Sequence, residues 1–476
     1  MRRRTKIVAT LGPATDAPGR IEELVLAGMN VARINTSHSG HDEHRRRIDA
    51  VRAAAEATGR EVAILVDLQG PKIRIEGFAD GPVHLDDGAR FSLDTALAPD
   101  AGSVERVGIS YPELVDDVSP GDALLLNDGV IRLEVEAIEG TAVHCRVVSG
   151  GWLSDRKGIN RLGGGLSADA LTAKDREDVR FAADVGADFV AVSFPRSAKD
   201  IETARALCEA HGLDAHLIAK IERAEAVDDL EAITEASDGV MVARGDLGVE
   251  IGDAELPAVQ KRLIALARDL NRVVITATQM MESMINQPIP TRAEVLDVAN
   301  AVMDGTDAVM LSAETAAGKY PVKAIEAMVR VCLGAEKHLV ATRRRSTAQD
   351  HFARTDEAIA MATMYTARHM HAQAIISLTE SGATARMMSR QDIGIPIFAL
   401  TRFETTRRRM CLCRGVYPVQ FDATNLDSSL KPIREAINCL LDRELIVEGD
   451  RVLITKGDFT GPGGTNALKI VTVGEY

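Results

Sequence analysis

The chain reads as an α/β protein: a (β/α)8 barrel, interrupted by an inserted β-rich lid and followed by a C-terminal doubly wound α/β domain. Three observations predict this. Eight short apolar runs recur at 6–11, 30–37, 62–68, 188–194, 217–222, 240–246, 273–278 and 308–314, most of them separated by a helix-like stretch of βα-unit length. The interval between the third and fourth runs is far too long for one unit and turns rich in Gly, Asp and Val. After 336 the chain passes through a polar, Arg-rich stretch into a new strand and helix alternation. The expected divisions are 1–70 with 166–340 for the barrel, 71–165 for the lid and 341–476 for the terminal domain.

The elements follow in order. Arg2, Arg3 and Arg4 precede the first run, but Lys6, Thr10 and Pro13 interrupt the apolar stretch a secretory leader needs, so the segment reads as a strand entry. In the insertion, Asp87-Gly88 and Pro120-Gly121 signal turns. Asn127-Asp128-Gly129, between LLL at 124–126 and IRLEV at 131–135, signals a β-hairpin. A unit that leaves and re-enters at one barrel edge can swing over that end. Arg343 to Thr347 reads as a linker. Beyond it, helical periodicity over 357–369 gives way to strands at 375–378, 397–400, 416–421 and 452–455.

Composition narrows the function. Seventy acidic against 56 basic side chains leave a net charge of −14, which disfavours nucleic acid and anionic membranes and requires local basic groups for any anionic ligand. Aromatics at 3% leave few platforms for stacking bases. No apolar run approaches the ~20 residues that span a bilayer. The six cysteines (145, 208, 332, 411, 413, 439) form no CxxC pair and read as buried hydrophobes, which points to the cytoplasm.

Polar residues gather at the C-terminal ends of the runs, where barrel active sites lie. Arg33, Asn35 and Ser37 share one parity in the second run; so do Lys220 and Glu222 in the fifth, Arg244 and Asp246 in the sixth, Thr276 and Thr278 in the seventh, and Ser312 and Glu314 in the eighth. Any one pair is as well explained by capping or a salt bridge, but convergence from five strands predicts a shared site. Glu222 and Asp246, without His or Cys nearby, suit Mg2+ or Mn2+. Lys220 beside them suits a transferring phosphoryl group, or a structural ion pair with Glu222. Arg33 and Lys72 add positive charge. No Walker A pattern and no GxGxxG occurs. The residues thus describe a metal-dependent barrel enzyme acting on small phosphorylated or carboxylated anions.

TKIVATLGPAT at 5–15, ARINTSH at 32–38, IAKIE at 218–222, MVARGDLGVE at 241–250, ATQMMESM at 277–284 and PTRAEVLDVAN at 290–300 together resemble the pyruvate kinase family, in order and over essentially the whole chain. GGGLSADA at 163–170 and LSAETAAG at 311–318 resemble its second bacterial isoform. The resemblance implies transfer of phosphoryl from phosphoenolpyruvate to ADP. It implies Glu222 and Asp246 as Mg2+ ligands, Lys220 as stabiliser of the phosphoryl in flight, and Arg33 on the substrate phosphate. Gly245 and Asp246 fall near the substrate carboxylate, Thr278 lines the pocket, and Ser312 and Glu314 belong to a proton-delivering water network. His38, Lys157 and Arg74 fall on the nucleotide side. Two strings depart from the family: Asn35-Thr36-Ser37-His38-Ser39 replaces a motif ending in Gly, and Asn160-Arg161-Leu162-Gly163 replaces Asn-Leu-Pro-Gly.

The resemblance also implies a homotetramer with the 292–300 segment near a subunit contact, where Thr291 reads independently as an N-cap. It implies an effector site for a sugar monophosphate or AMP on Thr379, Ser381, Gly382 and Thr384, with 456–466 as a Gly-rich flap. Members that need K+ carry Glu where this chain has Lys72, so K+ is expected to be dispensable although the ion's other ligands, Asn35, Ser37 and Asp67, remain; Leu68 is a further departure there. Two rival readings are a lyase or aldolase working on enolate-type acids and a non-catalytic regulatory homologue.

Overall fold

The computed structural model describes residues 2–342, 352–391, 393–422, 431–457 and 463–475. All eight runs are parallel strands of one closed barrel: Lys6–Thr10, Val31–Asn35, Ala63–Asp67, Phe189–Val192, His216–Ile221, Gly239–Ala243, Val273–Ala277 and Ala308–Leu311, each paired with its neighbours in this series and the last with the first. Alternation sorts their side chains. Val8, Leu65, Phe189, Ile218, Met241 and Ile275 fill the barrel, while Ile7, Val66, Val190, Leu217, Val240 and Val274 meet the helix layer. Inward parity therefore carries Arg33, Asn35, Asp67, Lys220 and Glu222 to the barrel mouth.

The same alternation corrects two strands. In the sixth, the parity of Val240 and Val242 is outward, and the strand stops at Ala243 because the helix Arg244–Ile251 begins there. Arg244 therefore turns away from the mouth, and Asp246 reaches it from a helix, not a strand. In the seventh, Thr276 is buried against the helix side, with its hydroxyl on that of Thr306 at 3.0 Å, so it does not share a face with the site. The eighth strand likewise ends at Leu311, and Glu314 lies in the short helix Ala313–Ala316.

The insertion after Asp67 holds a six-stranded sheet in the order Ile159–Arg161, Ala123–Leu126, Ile131–Glu139, Ala142–Ser149, Arg90–Asp94, Arg106–Gly108, over its own core of Phe91, Leu93, Val107, Leu133 and Val147. Its hairpin forms as the turn residues require. Leu126 faces Ile131, and Asn127, Asp128 and Gly129 all have left-handed φ (51°, 56° and 87°). The outgoing and returning chains touch where Arg74 pairs with Gly158.

In the terminal domain Ala374–Leu378, Ile397–Thr401, Val416–Gln420 and Arg451–Gly457 are parallel, and Thr465–Thr472 runs antiparallel on the edge. This fifth strand was not among the four expected, because its start overlaps the Gly-rich stretch read as a flap. Residues 458–462 of that flap, and the linker from Arg343 to Thr347, lie outside the described residues. The domain docks beneath the N-terminal end of the barrel. The Lys6 ammonium donates to the Val416 carbonyl, Gly415 N–H donates to the Arg4 carbonyl at 3.0 Å, and the buried Arg390 guanidinium grips Asp307 just before the eighth strand. The opposite, C-terminal mouth is left to the lid. Among the described residues no helix is long and apolar enough to cross a membrane.

Candidate active site

The second, third and fifth strands converge on one buried charge cluster. Arg33 Nε donates to Asp67 Oδ2 at 2.6 Å, and a terminal nitrogen of Arg33 donates to Thr10 Oγ1 at 2.9 Å. The Lys220 ammonium donates to Ser193 Oγ at 2.6 Å and lies 3.0 Å from Glu222 Oε1 and 3.2 Å from Asp67 Oδ1. Burial works against charge on Lys220, but the two carboxylates outweigh it and hold its pKa above the usual lysine value. Asp67, though buried, is held below the usual carboxylate range by Lys220 and Arg33. Glu222 goes the other way: burial raises its pKa, against the lowering effect of Lys220 and with the Asp246 and Asp67 charges adding to the rise. The cluster is thus a firmly charged ammonium paired with a carboxylate whose charge burial disfavours.

Asp246 supplies the second carboxylate. Its Oδ1 accepts from the Lys72 ammonium at 2.9 Å, and Lys72 comes from the chain leaving for the lid. Asp67 is engaged by Arg33 and Lys220 instead, so Lys72 faces the mouth and does not turn aside to Asp67. Each of the two oxygen ligands expected for a divalent ion is thus met by an ammonium. Among the described residues no group of three or more His, Cys, Asp or Glu could hold a metal ion, so an ion on Glu222 and Asp246 needs substrate or water oxygens to complete its shell. Such partial protein ligation is the usual arrangement for Mg2+ with phosphates.

Thr278 follows the seventh strand in a left-handed conformation (φ 64°), as does Gln279 (φ 54°), an uncommon state for a β-branched residue. Its hydroxyl accepts from Gly245 N–H at 2.9 Å and donates to the Ala277 carbonyl at 2.7 Å. Arg244 holds this turn from behind. Its guanidinium donates to the Thr278 carbonyl at 2.6 Å and meets Asp297 at 2.7 Å. Sequence parity assigned Arg244 to the site; it supports the turn and does not line the mouth.

The remaining candidates lie around this centre. Glu314 is buried, and burial raises its pKa. Its carboxylate accepts from Ser312 N–H at 2.6 Å and Met281 N–H at 3.1 Å, joining the loops after the seventh and eighth strands. His38 is exposed beyond the second strand. Arg74 donates to the Arg156 carbonyl at 3.0 Å, and the Lys157 carbonyl accepts from Ile75 N–H at 2.9 Å, so both lie at the lid's base. Asn35 Oδ1 accepts from Ser37 N–H at 3.2 Å. Leu68 is buried in the core between strands and helices and does not face the mouth. Ser39, where the family motif has Gly, adopts φ 65°: the loop keeps a glycine-like conformation with a serine in it.

In the terminal domain, Gly382 (φ 80°) opens the helix Ala383–Ser389. Thr379 Oγ1 accepts from Gly382 N–H at 2.9 Å, Ser381 Oγ accepts from Ala383 N–H at 3.4 Å, and the buried Thr384 hydroxyl bonds that of Thr465 at 2.7 Å. All three hydroxyls are engaged within the domain. Sequence reasoning missed Ser193, Thr10 and Phe194, whose N–H donates to Glu222 Oε2 at 3.0 Å. Ser193 was reachable, since it has the inward parity of Phe189 and Ala191 in the fourth run.

Comparison with known proteins bears on the whole chain. The family model described as the barrel domain of pyruvate kinase matches residues 2–325, and the one described as its alpha/beta domain matches 357–471. The chain is 54% identical over 476 residues to Pyruvate kinase II of Salmonella typhimurium, covering 99% of each chain. It is 51% identical to Pyruvate kinase of Haemophilus influenzae, again over 99% of each, and 42% identical to that of Mycobacterium tuberculosis, over 100% of this chain and 99% of the relative.

Proposed function

The chain belongs to the pyruvate kinase family and is a phosphotransferase, and on that premise we propose how its residues divide the transfer of phosphoryl from phosphoenolpyruvate to ADP. Phosphoryl transfer asks mainly for alignment and for positive charge where the three equatorial oxygens carry negative charge. Arg33, Lys72 and Lys220 supply that charge. The observation that carries the reading is the buried, firmly charged Lys220 within 3.0 Å of Glu222.

Glu222 and Asp246 fit a divalent cation: both are hard oxygen donors, and Glu222 has its pKa raised by burial with Asp246 as a contributing charge. When bound, Mg2+ or Mn2+ neutralises phosphate charge and orients oxygens. The first-turn N–H groups of the helix Arg244–Ile251 have no intrahelical acceptors, which suits the substrate carboxylate at Gly245 and Asp246, with the Thr278 hydroxyl exchanging its bond to Gly245 for one to substrate. His38, Arg74 and Lys157 serve ADP from the lid side. Once the phosphoryl has left, the enolate takes a proton at its methylene carbon from water held near Thr278 and Ser312, with Glu314 fixing the Ser312 backbone. A lactate dehydrogenase-coupled assay is expected to show pyruvate formation that requires phosphoenolpyruvate, ADP and Mg2+ together, and to fall to background with EDTA. Pyruvate formed from phosphoenolpyruvate without ADP would mean that water takes the phosphoryl and would overturn the kinase reading, and none under any condition would mark a lyase acting on another substrate or a non-catalytic homologue.

Two further parts of the reading concern regulation and assembly. A sugar monophosphate or AMP at the 379–384 loop is supported by the left-handed Gly382 and by Thr384 joining the loop to the edge strand through Thr465. Binding there exchanges the intradomain hydroxyl bonds for bonds to phosphate. Ser381→Ala and Thr384→Ala are expected to abolish activation by these compounds while leaving the unactivated rate within about twofold; an unchanged response to every phosphate tested places the effector elsewhere. A homotetramer is supported by the helix Arg292–Asp304, capped by Thr291 as expected and presenting Leu296 at 70% and Met303 at 43% exposure. Light scattering at micromolar concentration is expected to give four chain masses; a single-chain mass overturns it.

A further inference from the structure

Glu250 lies one helical turn beyond Asp246 on the helix Arg244–Ile251, is buried, and has no side-chain cation hydrogen-bonded to it among the described residues. Its bonds run to separate segments. Oε2 accepts from Ala224 N–H at 2.9 Å, two residues after Glu222. Oε1 accepts from Asn160 Nδ2 at 3.3 Å, in the strand Ile159–Arg161 by which the lid returns. Its carbonyl accepts from Gly163 N–H at 2.9 Å in the same return segment. The preceding residue, Val249, borders the tip of the lid hairpin: a Cβ placed on Gly129 would come 3.7 Å from one of its methyl groups.

We propose that Glu250 is a positioning residue that ties the lid's return strand to both segments carrying the divalent-ion ligands, so that seating of the lid and spacing of Glu222 and Asp246 are coupled. The geometry gives the reason. A carboxylate with one oxygen on the lid and the other on the turn after Glu222, rooted in the helix that bears Asp246, cannot keep both bonds if any of the three segments shifts by an ångström. Groups behind metal ligands act in this way, and their loss typically lowers metal affinity about 10–100-fold. The plainer alternative is that Glu250 only satisfies the first N–H of the helix Ala224–Asp228, which predicts loosening of that helix and nothing at the lid. Arg223 and Glu225 are the charged groups facing Glu250 from that segment, and burial pushes its carboxyl up to about 7. A neutral amide of the same shape should therefore be accommodated, with the Asn160 amide turned to accept.

The inference rests on the reading of Glu222 and Asp246 as ion ligands, and the experiment separates the two. Full-length wild type, Glu250→Ala, Glu250→Gln and Asn160→Ala are compared by hydrogen exchange of 159–165 and 223–226 without ligands, and by the Mg2+ concentration giving half-maximal rate. Expected are about tenfold faster exchange in both segments and an about tenfold higher Mg2+ requirement for Glu250→Ala, with Glu250→Gln restoring both. Asn160→Ala, which touches only the lid side, is expected to speed exchange at 223–226 as well. If Asn160→Ala loosens only 159–165, or the Glu250 variants leave the Mg2+ requirement unchanged, the coupling is wrong. Should Glu250→Ala fail to fold, the Asn160→Ala exchange pattern decides alone. Wild-type activity independent of any divalent ion instead refutes the ligand reading, while the exchange result still tests the tie.

Discussion

Replacing Lys220 by Met is expected to lower turnover by about 10³-fold or more, with phosphoenolpyruvate binding weakened far less. Methionine keeps the length and apolar stem of lysine but removes the ammonium that Asp67, Ser193 and Glu222 hold at the barrel mouth. Removing a single preorganised donor in such sites typically costs 10²–10³-fold in turnover, and a cationic group on a transferring phosphoryl up to about 10⁵-fold. Binding is expected to suffer less, because Arg33 and Lys72 remain at the mouth to meet the substrate phosphate in the proposed ground state. The ion-pair alternative makes a different forecast. Breaking a buried pair costs about 3–5 kcal/mol of stability, so a structural Lys220 would give less folded protein but normal turnover per folded molecule. Measuring kcat against the folded fraction, with substrate binding followed separately, distinguishes the two. Near-normal kcat in the folded fraction would make Lys220 a structural residue.

That cluster also shows what a sequence can reveal. The barrel was legible because its signal is repeated: eight apolar runs at βα spacing cannot easily arise otherwise, and the inward parity of Arg33, Lys220 and Glu222 followed from strand alternation alone. Legibility ended where strands ended. Arg244 and Asp246 were read by a period of two, yet the chain becomes helical at Arg244 and rotates Asp246 into the mouth while Arg244 turns behind Thr278. No local pattern announces such a switch, since GDLGVE suits a strand end or a helix start. Thr278 reaches the site through a left-handed backbone that its side chain disfavours, a conformation fixed by Arg244 and Gly245 from another unit. The pairing of Lys72 with Asp246 joins residues 174 positions apart. Sequence supplied both charges but not their meeting.

That meeting bears on the monovalent ion. Three cations at the mouth, Arg33, Lys72 and Lys220, face three carboxylates, Asp67, Glu222 and Asp246, so a phosphate enters a field already balanced before a divalent ion adds its charge. Lys72→Glu leaves two cations against four carboxylates, with the new one beside Asp246. A bound K+ could restore one charge near Asn35, Ser37 and Asp67, whereas the Lys72 ammonium provides it without capturing an ion from solution. Full activity of the unmodified protein is therefore expected in buffer whose only monovalent cation is tetramethylammonium, which is too large for such a site. Lys72→Glu in that buffer should lose about 100-fold, corresponding to about 3 kcal/mol for a charge reversal in a partly screened site, and should regain a tens-fold share when K+ is added. Lys72→Met separates charge from contact: it keeps the reach but adds no repulsion, so its loss should be smaller than that of Lys72→Glu. Strong K+ activation of the unmodified protein, or a Lys72→Glu variant indifferent to K+, would show that Lys72 pairs with Asp246 without standing in for the ion.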